Sequence, residues 1–132
     1  MNTSSLTWCA ESTGGGLKNR NRRSKFGAVR TTVDNVTFAS KAEARRYQEL
    51  RLLERAGAIS GLEVQPVFPL DILRPSNGEM IACGVCRSDF RYVDEHGRVV
   101  VEDVKGAQST AIHRLKSRLV KALYDVSIVE VR

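Results

Sequence analysis

The run Val99-Val100-Val101-Glu102-Asp103-Val104-Lys105-Gly106 constrains the fold more than any other stretch. Its three consecutive valines, followed by Val104, suit a strand covered on both faces. Side chains alternate along a strand, so a water-facing side would call for polar residues at every second position. Asp103 and Lys105 are two apart and therefore leave the strand on the same side, just before Gly106 breaks it. An acid and an ammonium at the tip of a buried strand are costly to desolvate unless they pair with each other, a metal or a ligand.

The rest of the chain can be placed around this strand by pattern. Residues 33–38 read as a small hairpin with Asp34-Asn35 at its tip. Ser40 opens a helix from Lys41 to about Ala56, with Ser40 and Glu43 as a capping box and Gly57 as the stop. Tyr47, Leu50 and Leu53 mark its buried arc, Glu43 falls inside that arc, and Arg45, Glu49 and Arg55 lie on or toward the wet side. Residues 62–70 form an extended segment whose Pro66 and Pro69 suit an edge strand or a bulge. Residues 75–78 make a turn, a second strand runs from Ile81 to Val93, and residues 94–97 turn it into the valine strand. Beyond Gly106, Ser109 is the expected N-cap of a helix from about Thr110 to Tyr124. Ile112, Leu115, Leu119, Val120 and Leu123 form its apolar face. Residues 126–131 close the chain as a strand. Helix, three strands, helix, strand predicts an α/β fold (mixed α+β), a central mixed sheet flanked by helices, ending in a right-handed crossover.

Composition narrows the partners. A chain of 132 residues with 42% hydrophobic content holds one ordinary core. Its net charge of +6 favours a polyanion, nucleic acid before membrane. The sequence has no apolar run of about 18 residues to span a bilayer, and its N-terminus lacks the apolar core of a signal peptide. Three cysteines make no disulfide framework, which fits a reducing cytoplasm. Residues 1–25 read as a disordered basic tail and 26–132 as the folded domain. Arg20, Arg22, Arg23 and Lys25 in that tail are either an arm along phosphates or a solvated extension that aids solubility.

Two acids stand out. Counted from the turn centre at His96, Asp89 is seven residues back and Asp103 seven forward, so an antiparallel pair sets them across from each other. Carboxylates that close raise each other's pKa unless a cation lies between them. Mg²⁺ or Mn²⁺ held by both, with water and a substrate phosphate completing the octahedron, resolves the conflict. Lys105 then stands beside the metal and can hold an attacking water. A purely structural Asp–Lys pair is the competing reading. Glu43 is a cap by default, although its place in the buried arc also lets it face the same cavity. Cys83-Gly84-Val85-Cys86 lacks the second ligand pair of a zinc site and reads as strand cysteines packed as small apolar residues. His96 reads as a turn residue, and His113 as a surface or phosphate-contacting one.

Asp89, then Asp103-Val104-Lys105, preceded by the helical Glu43, resembles the PD-(D/E)XK nuclease superfamily and its αβββαβ restriction-endonuclease-like core. Residues 32–38, 40–47, 65–66, 88–92 and 101–106 are together similar to a family of small phage and prophage endonucleases. Ser88 stands where the superfamily motif has proline. The resemblance implies a Mg²⁺-dependent endodeoxyribonuclease acting in a bacterial host cytoplasm, selective for branched or junction DNA. Asp89, Asp103 and the Val104 carbonyl would hold the metal, Lys105 would position the water, and Glu43 would reach a second metal or its water shell. Gln65 matches a position near the site. Arg45, Arg46, Arg87, Arg91, Arg114, Lys116 and Arg118 are the candidates for phosphate contacts, which position DNA without reading its sequence. Homodimers and phage replication, recombination or packaging proteins are the implied partners. The rival readings are a nuclease-like DNA-binding protein without activity and a nuclease active only within a larger phage complex.

Overall fold

The computed structural model describes residues 28–132, so the basic tail with Arg20, Arg22, Arg23 and Lys25 lies outside the described residues. The chain begins with a hairpin of β1 (Thr31–Val33) and β2 (Val36–Phe38). Asp34 and Asn35 both take the left-handed conformation, with φ of 50° and 63°, which short polar side chains tolerate best. Helix α1 (Lys41–Arg55) follows, and Gly57 ends it at φ 77°. Ser40 Oγ accepts the Glu43 N–H at 3.2 Å as the cap requires, while Glu43 Oε2 reaches one residue further back than a capping box does and accepts the Ala39 N–H at 3.1 Å.

Ala44, Tyr47 and Leu50 are buried beneath α1, but Leu53 is 39% exposed and does not extend the arc. At about 100° per residue, Leu53 falls roughly 120° from Tyr47, whereas Glu54 falls roughly 20° from it. Glu54 turns inward instead, and its carboxylate accepts the Leu62 N–H at 3.2 Å.

The two extended segments each break. Residues 62–70 become parts of β3 (Ser60–Val64) and β4 (Val67–Leu73), and residues 81–93 divide between β5 (Met80–Arg87) and β6 (Phe90–Val93). At the first break Gln65 is left-handed, with φ 54°, and Pro66 has no N–H to continue a ladder. The breaks are tied together: Gln65 donates to the Asp89 carbonyl at 2.8 Å and Ser88 to the Pro66 carbonyl at 3.2 Å. Strands β4 and β5 therefore leave as a separate two-stranded ribbon, with Pro69 beside its register shift.

After β6 come β7 (Val99–Val104), α2 (Ala111–Tyr124) and β8 (Ile128–Val131). The central sheet has four strands in the order β3-β6-β7-β8, with β7 and β8 parallel and the other pairs antiparallel. Strands β6 and β7 each lie between two neighbours, and β7 is covered on both faces from Val101 to Asp103, with Val99 half exposed at its start. Phe38, Tyr47, Leu50, Phe90 and Tyr92 fill the α1 side, and Phe68, Leu70, Cys86, Val101 and Val120 fill the α2 side. The result is a mixed α/β fold.

Helix α2 differs from expectation in two ways. Thr110 is its N-cap, accepting the His113 N–H at 3.1 Å, while the Ser109 hydroxyl donates to Glu130 on β8. The helix is also rotated: Val120 is fully buried, while Ile112, Leu115 and Leu123 are 69%, 56% and 44% exposed. His113 lies seven residues before Val120, roughly 20° away around the helix, so it shares the inward face. The rotation that carries His113 over the sheet leaves the apolar stripe outside.

Candidate functional site

The site forms where the broken strands meet the end of β7. Partners from Phe90↔Glu102 to Val93↔Val99 fix the β6–β7 register, and the Asp89 N–H continues it to the Glu102 carbonyl at 3.0 Å. Asp89 therefore stands at the position facing Asp103, as counting from the turn predicts. Asp89 Oδ2 accepts the Val104 N–H at 2.6 Å, taking the place of the backbone partner that the interrupted strand withdraws. A strand residue sends its N–H and C=O toward the same neighbour, so the Val104 carbonyl also faces the Asp89 side.

Asp103 is buried at 6% exposure. Its Oδ2 lies 2.7 Å from Lys105 Nζ and 3.1 Å from His113 Nε2. Neither approach has hydrogen-bond alignment, so this buried oxygen has two donors near it and an aligned bond from none. Burial, opposed by the Val104 hydrogen bond and reinforced by Asp103 and then Glu43, pushes the Asp89 carboxyl up to about 7. Two hard carboxylates, one reluctant to ionise and one with an unsatisfied oxygen, fit a divalent cation of the Mg²⁺ class. Among the described residues no set of three or more His, Cys, Asp or Glu forms a ready cage. Mg²⁺ does not require one, because it keeps several waters and takes one or two carboxylates plus phosphate.

Glu43 serves its capping role and also borders the cleft in front of Asp89. This space of about 350 Å³ is lined by Ala39, Glu43, Gln65, Val67, Arg87, Ser88 and Asp89. Ser88 is buried there with no hydrogen-bond partner for its Oγ. A second groove, of about 380 Å³, runs from Arg87 along β5 to Thr110, Ile112, His113 and Lys116 on the α2 side. Arg87 borders both spaces and Lys116 the second, so these two basic side chains flank the acids.

Other basic candidates are committed elsewhere. Arg46 is not a free phosphate contact: its Nε and Nη2 reach the two oxygens of Glu102 at 2.8 and 2.7 Å. Glu102, one residue from Asp103, points to the opposite face and takes Tyr92 Oη at 2.6 Å as well. Burial pushes the Glu102 carboxyl up, yet the bonds from Arg46 and Tyr92 outweigh it and hold the group below its ordinary range. Arg91 pairs with Glu63 on β3. Arg114 donates to the Ser109 carbonyl at 2.7 Å across the start of α2, and Arg45 is exposed on α1. Cys86 is in the core, as a small apolar residue would be, but Cys83 is exposed. The two are three residues apart, an odd spacing that a period of two sends to opposite faces, and the pairing shift near Gly84, whose φ is 143°, does not bring them together. His96 lies in the turn, its N–H donated to Asp94 Oδ1.

Sequence reasoning missed His113. The signal available was its seven-residue spacing from Val120, outweighed by the leucines on the neighbouring arc.

The raised Asp89 pKa carries a stability consequence. The folded state keeps this proton up to about pH 7, while the unfolded chain releases it near 3.8. The stabilising contribution is thus complete below pH 3.8 and lost as pH rises through 7. Between pH 5 and 8 the ion-free protein should lose roughly 1–2 kcal/mol after allowance for solvent screening. Asp89→Asn should flatten this slope. Thermal melts across that range check it; a slope unaffected by Asp89→Asn would refute the assignment.

Comparison with family models matches residues 23–130 to a family described as protein of unknown function (DUF1064). The same chain matches no curated protein and no solved structure.

Proposed function

The chain belongs to this family of proteins of unknown function, and we propose that it is a divalent-metal-dependent endodeoxyribonuclease. The observation that carries the reading is the meeting of Asp89, Asp103 and Lys105 on one side of the sheet at the end of β7, with one carboxyl pushed to about pH 7 and the other holding a buried unsatisfied oxygen. A structural Asp103–Lys105 pair accounts for Asp103 but not for the second buried carboxyl, Asp89, which faces it across the strands.

In this reading Asp89, Asp103 and the Val104 carbonyl hold Mg²⁺, with Mn²⁺ as a substitute. When bound, the ion supplies Lewis acidity, easing deprotonation of water and neutralising charge on the phosphate. The Val104 N–H keeps Asp89 oriented. Lys105, 23% exposed at its side chain, turns its ammonium toward the phosphate to orient the attacking water and offset charge gathering on the oxygens. Arg87 and Lys116 take neighbouring phosphates without reading bases. Glu43 borders the cleft and completes its negative wall. The setting is a bacterial host cytoplasm; no helix among the described residues is long and apolar enough to cross a membrane.

The test is a panel of linear, nicked, forked and four-way DNA, with an RNA duplex of equal length, each incubated with Mg²⁺. Cleavage of DNA that stops in excess EDTA is the expected result, and the preferred member of the panel names the substrate. Cleavage that persists in EDTA would falsify the metal-dependent reading. DNA retained but never cut, even with added phage replication or packaging proteins, would leave a binding protein.

A further inference from the structure

We propose that His113 is a positioning residue that takes over Asp103 Oδ2 and so releases Lys105 to face the substrate. The inference rests on the nuclease reading above for its purpose, though not for its geometry.

One carboxylate oxygen has two suitors. Lys105 Nζ is 2.7 Å from Asp103 Oδ2 and His113 Nε2 is 3.1 Å away, and neither is aligned for a hydrogen bond. A buried carboxylate oxygen left without a donor costs about 1–3 kcal/mol or more. If Lys105 were the only donor, that cost would tie its ammonium to Asp103, directed back into the protein. With His113 present, a proton on Nε2 can satisfy the oxygen after a small ring rotation, and the ammonium is free to swing outward. Both the neutral tautomer carrying that proton and the imidazolium meet the requirement.

The surroundings keep the ring close to Asp103 while leaving it that rotation. The backbone N–H of His113 donates to Thr110 Oγ1 at 3.1 Å and anchors the residue at the helix start, Ser117 Oγ is in hydrogen-bond contact with Nε2 at 3.3 Å and can accept from it, and Glu130 Oε1 lies 3.9 Å from it on β8. Glu130 is itself engaged by the Ser109 hydroxyl, which donates to it. The His113 side chain is 15% exposed, although α2 leaves Ile112 and Leu115 in water to put it there. A helix oriented by apolar burial alone would turn those two side chains inward.

The test compares wild type, His113→Ala and His113→Gln, the glutamine keeping an N–H donor. In the ion-free protein, acetylation of Lys105 by acetic anhydride, followed by mass spectrometry, reads whether its amine is free. The alanine variant should slow modification of Lys105 several-fold relative to the other lysines, and glutamine should restore it. With Mg²⁺ and DNA, His113→Ala should lower kcat by about 10–100-fold with KM for DNA unchanged, again with recovery in His113→Gln. Circular dichroism and melting confirm that both variants fold. Equal Lys105 reactivity in all three proteins overturns the inference, whatever the DNA assay gives. Absence of cleavage by wild type, with the reactivity pattern intact, overturns the nuclease reading instead and leaves the His113–Lys105 exchange standing.

Discussion

Asp103→Asn should cut Mg²⁺-dependent DNA cleavage by about 10³-fold or more while leaving the fold intact, since it removes the charge that the site is built to offset. Asp89→Ala and Lys105→Ala should do the same. The expected companion result separates a functional acid from a structural one. In the ion-free protein, Asp103→Asn relieves the repulsion that helps raise the Asp89 carboxyl, so the melting temperature should hold or rise. Breaking a structural ion pair would lower it. Activity lost and stability kept is the signature of a site that trades stability for chemistry. A variant that melts early and cuts DNA normally would overturn the assignment. Calorimetric titration with Mg²⁺, without DNA, checks the same residues independently.

Arg46→Ala should give the opposite pattern: a loss of about 3 kcal/mol of stability with no specific effect on DNA affinity below the melting temperature. Glu102 is 5% exposed at its side chain and depends on Arg46 for two of its hydrogen bonds. Removing the guanidinium leaves a buried anion with Tyr92 alone, whose own hydroxyl the same contact and burial have pushed up to about 12. The depressed Glu102 pKa means that the pair's stability is present above the ordinary value of 4.5 and is lost as pH falls below it. The Arg46→Ala penalty should therefore shrink in acid, and the double variant Arg46→Met, Glu102→Gln should recover part of it. Arg87→Ala and Lys116→Ala provide the contrast, weakening DNA binding and flattening its salt dependence without early melting. Denaturant titrations at pH 7 and pH 4, alongside binding at two salt concentrations, distinguish the two classes of arginine.

What could be read from the chain divides along physical lines. Local signals held: Ser40 with Glu43 capped α1, Asp34-Asn35 made the hairpin tip, and counting outward from His96 set Asp89 against Asp103. Each depends on residues close in sequence or on a period of two. The valine strand's demand for cover on both faces is met from Val101 to Asp103, while Val99 at the strand's start is half exposed. What failed depended on partners far along the chain. Whether residues 62–70 and 81–93 stay whole is decided by the bonds between Gln65, Pro66, Ser88 and Asp89, which no period reveals. The leucines of α2 predict one orientation, yet the buried charge of Asp103 lies beneath that helix and His113 answers it. Arg46 was indistinguishable from Arg45 by charge alone. Only the choice of Glu102 as a partner, from across the sheet, separates them.

The ribbon of β4 and β5 leaves the central sheet immediately beside Asp89 and is joined to it through residues 65–66 and 88–89. Its far turn, around Pro75 to Gly78, bears on no strand of the four-stranded ladder. Residues added or deleted at that tip would lengthen or shorten an arm without disturbing the spacing of the acids at its root. The molecule can thus vary its reach while its chemistry stays put.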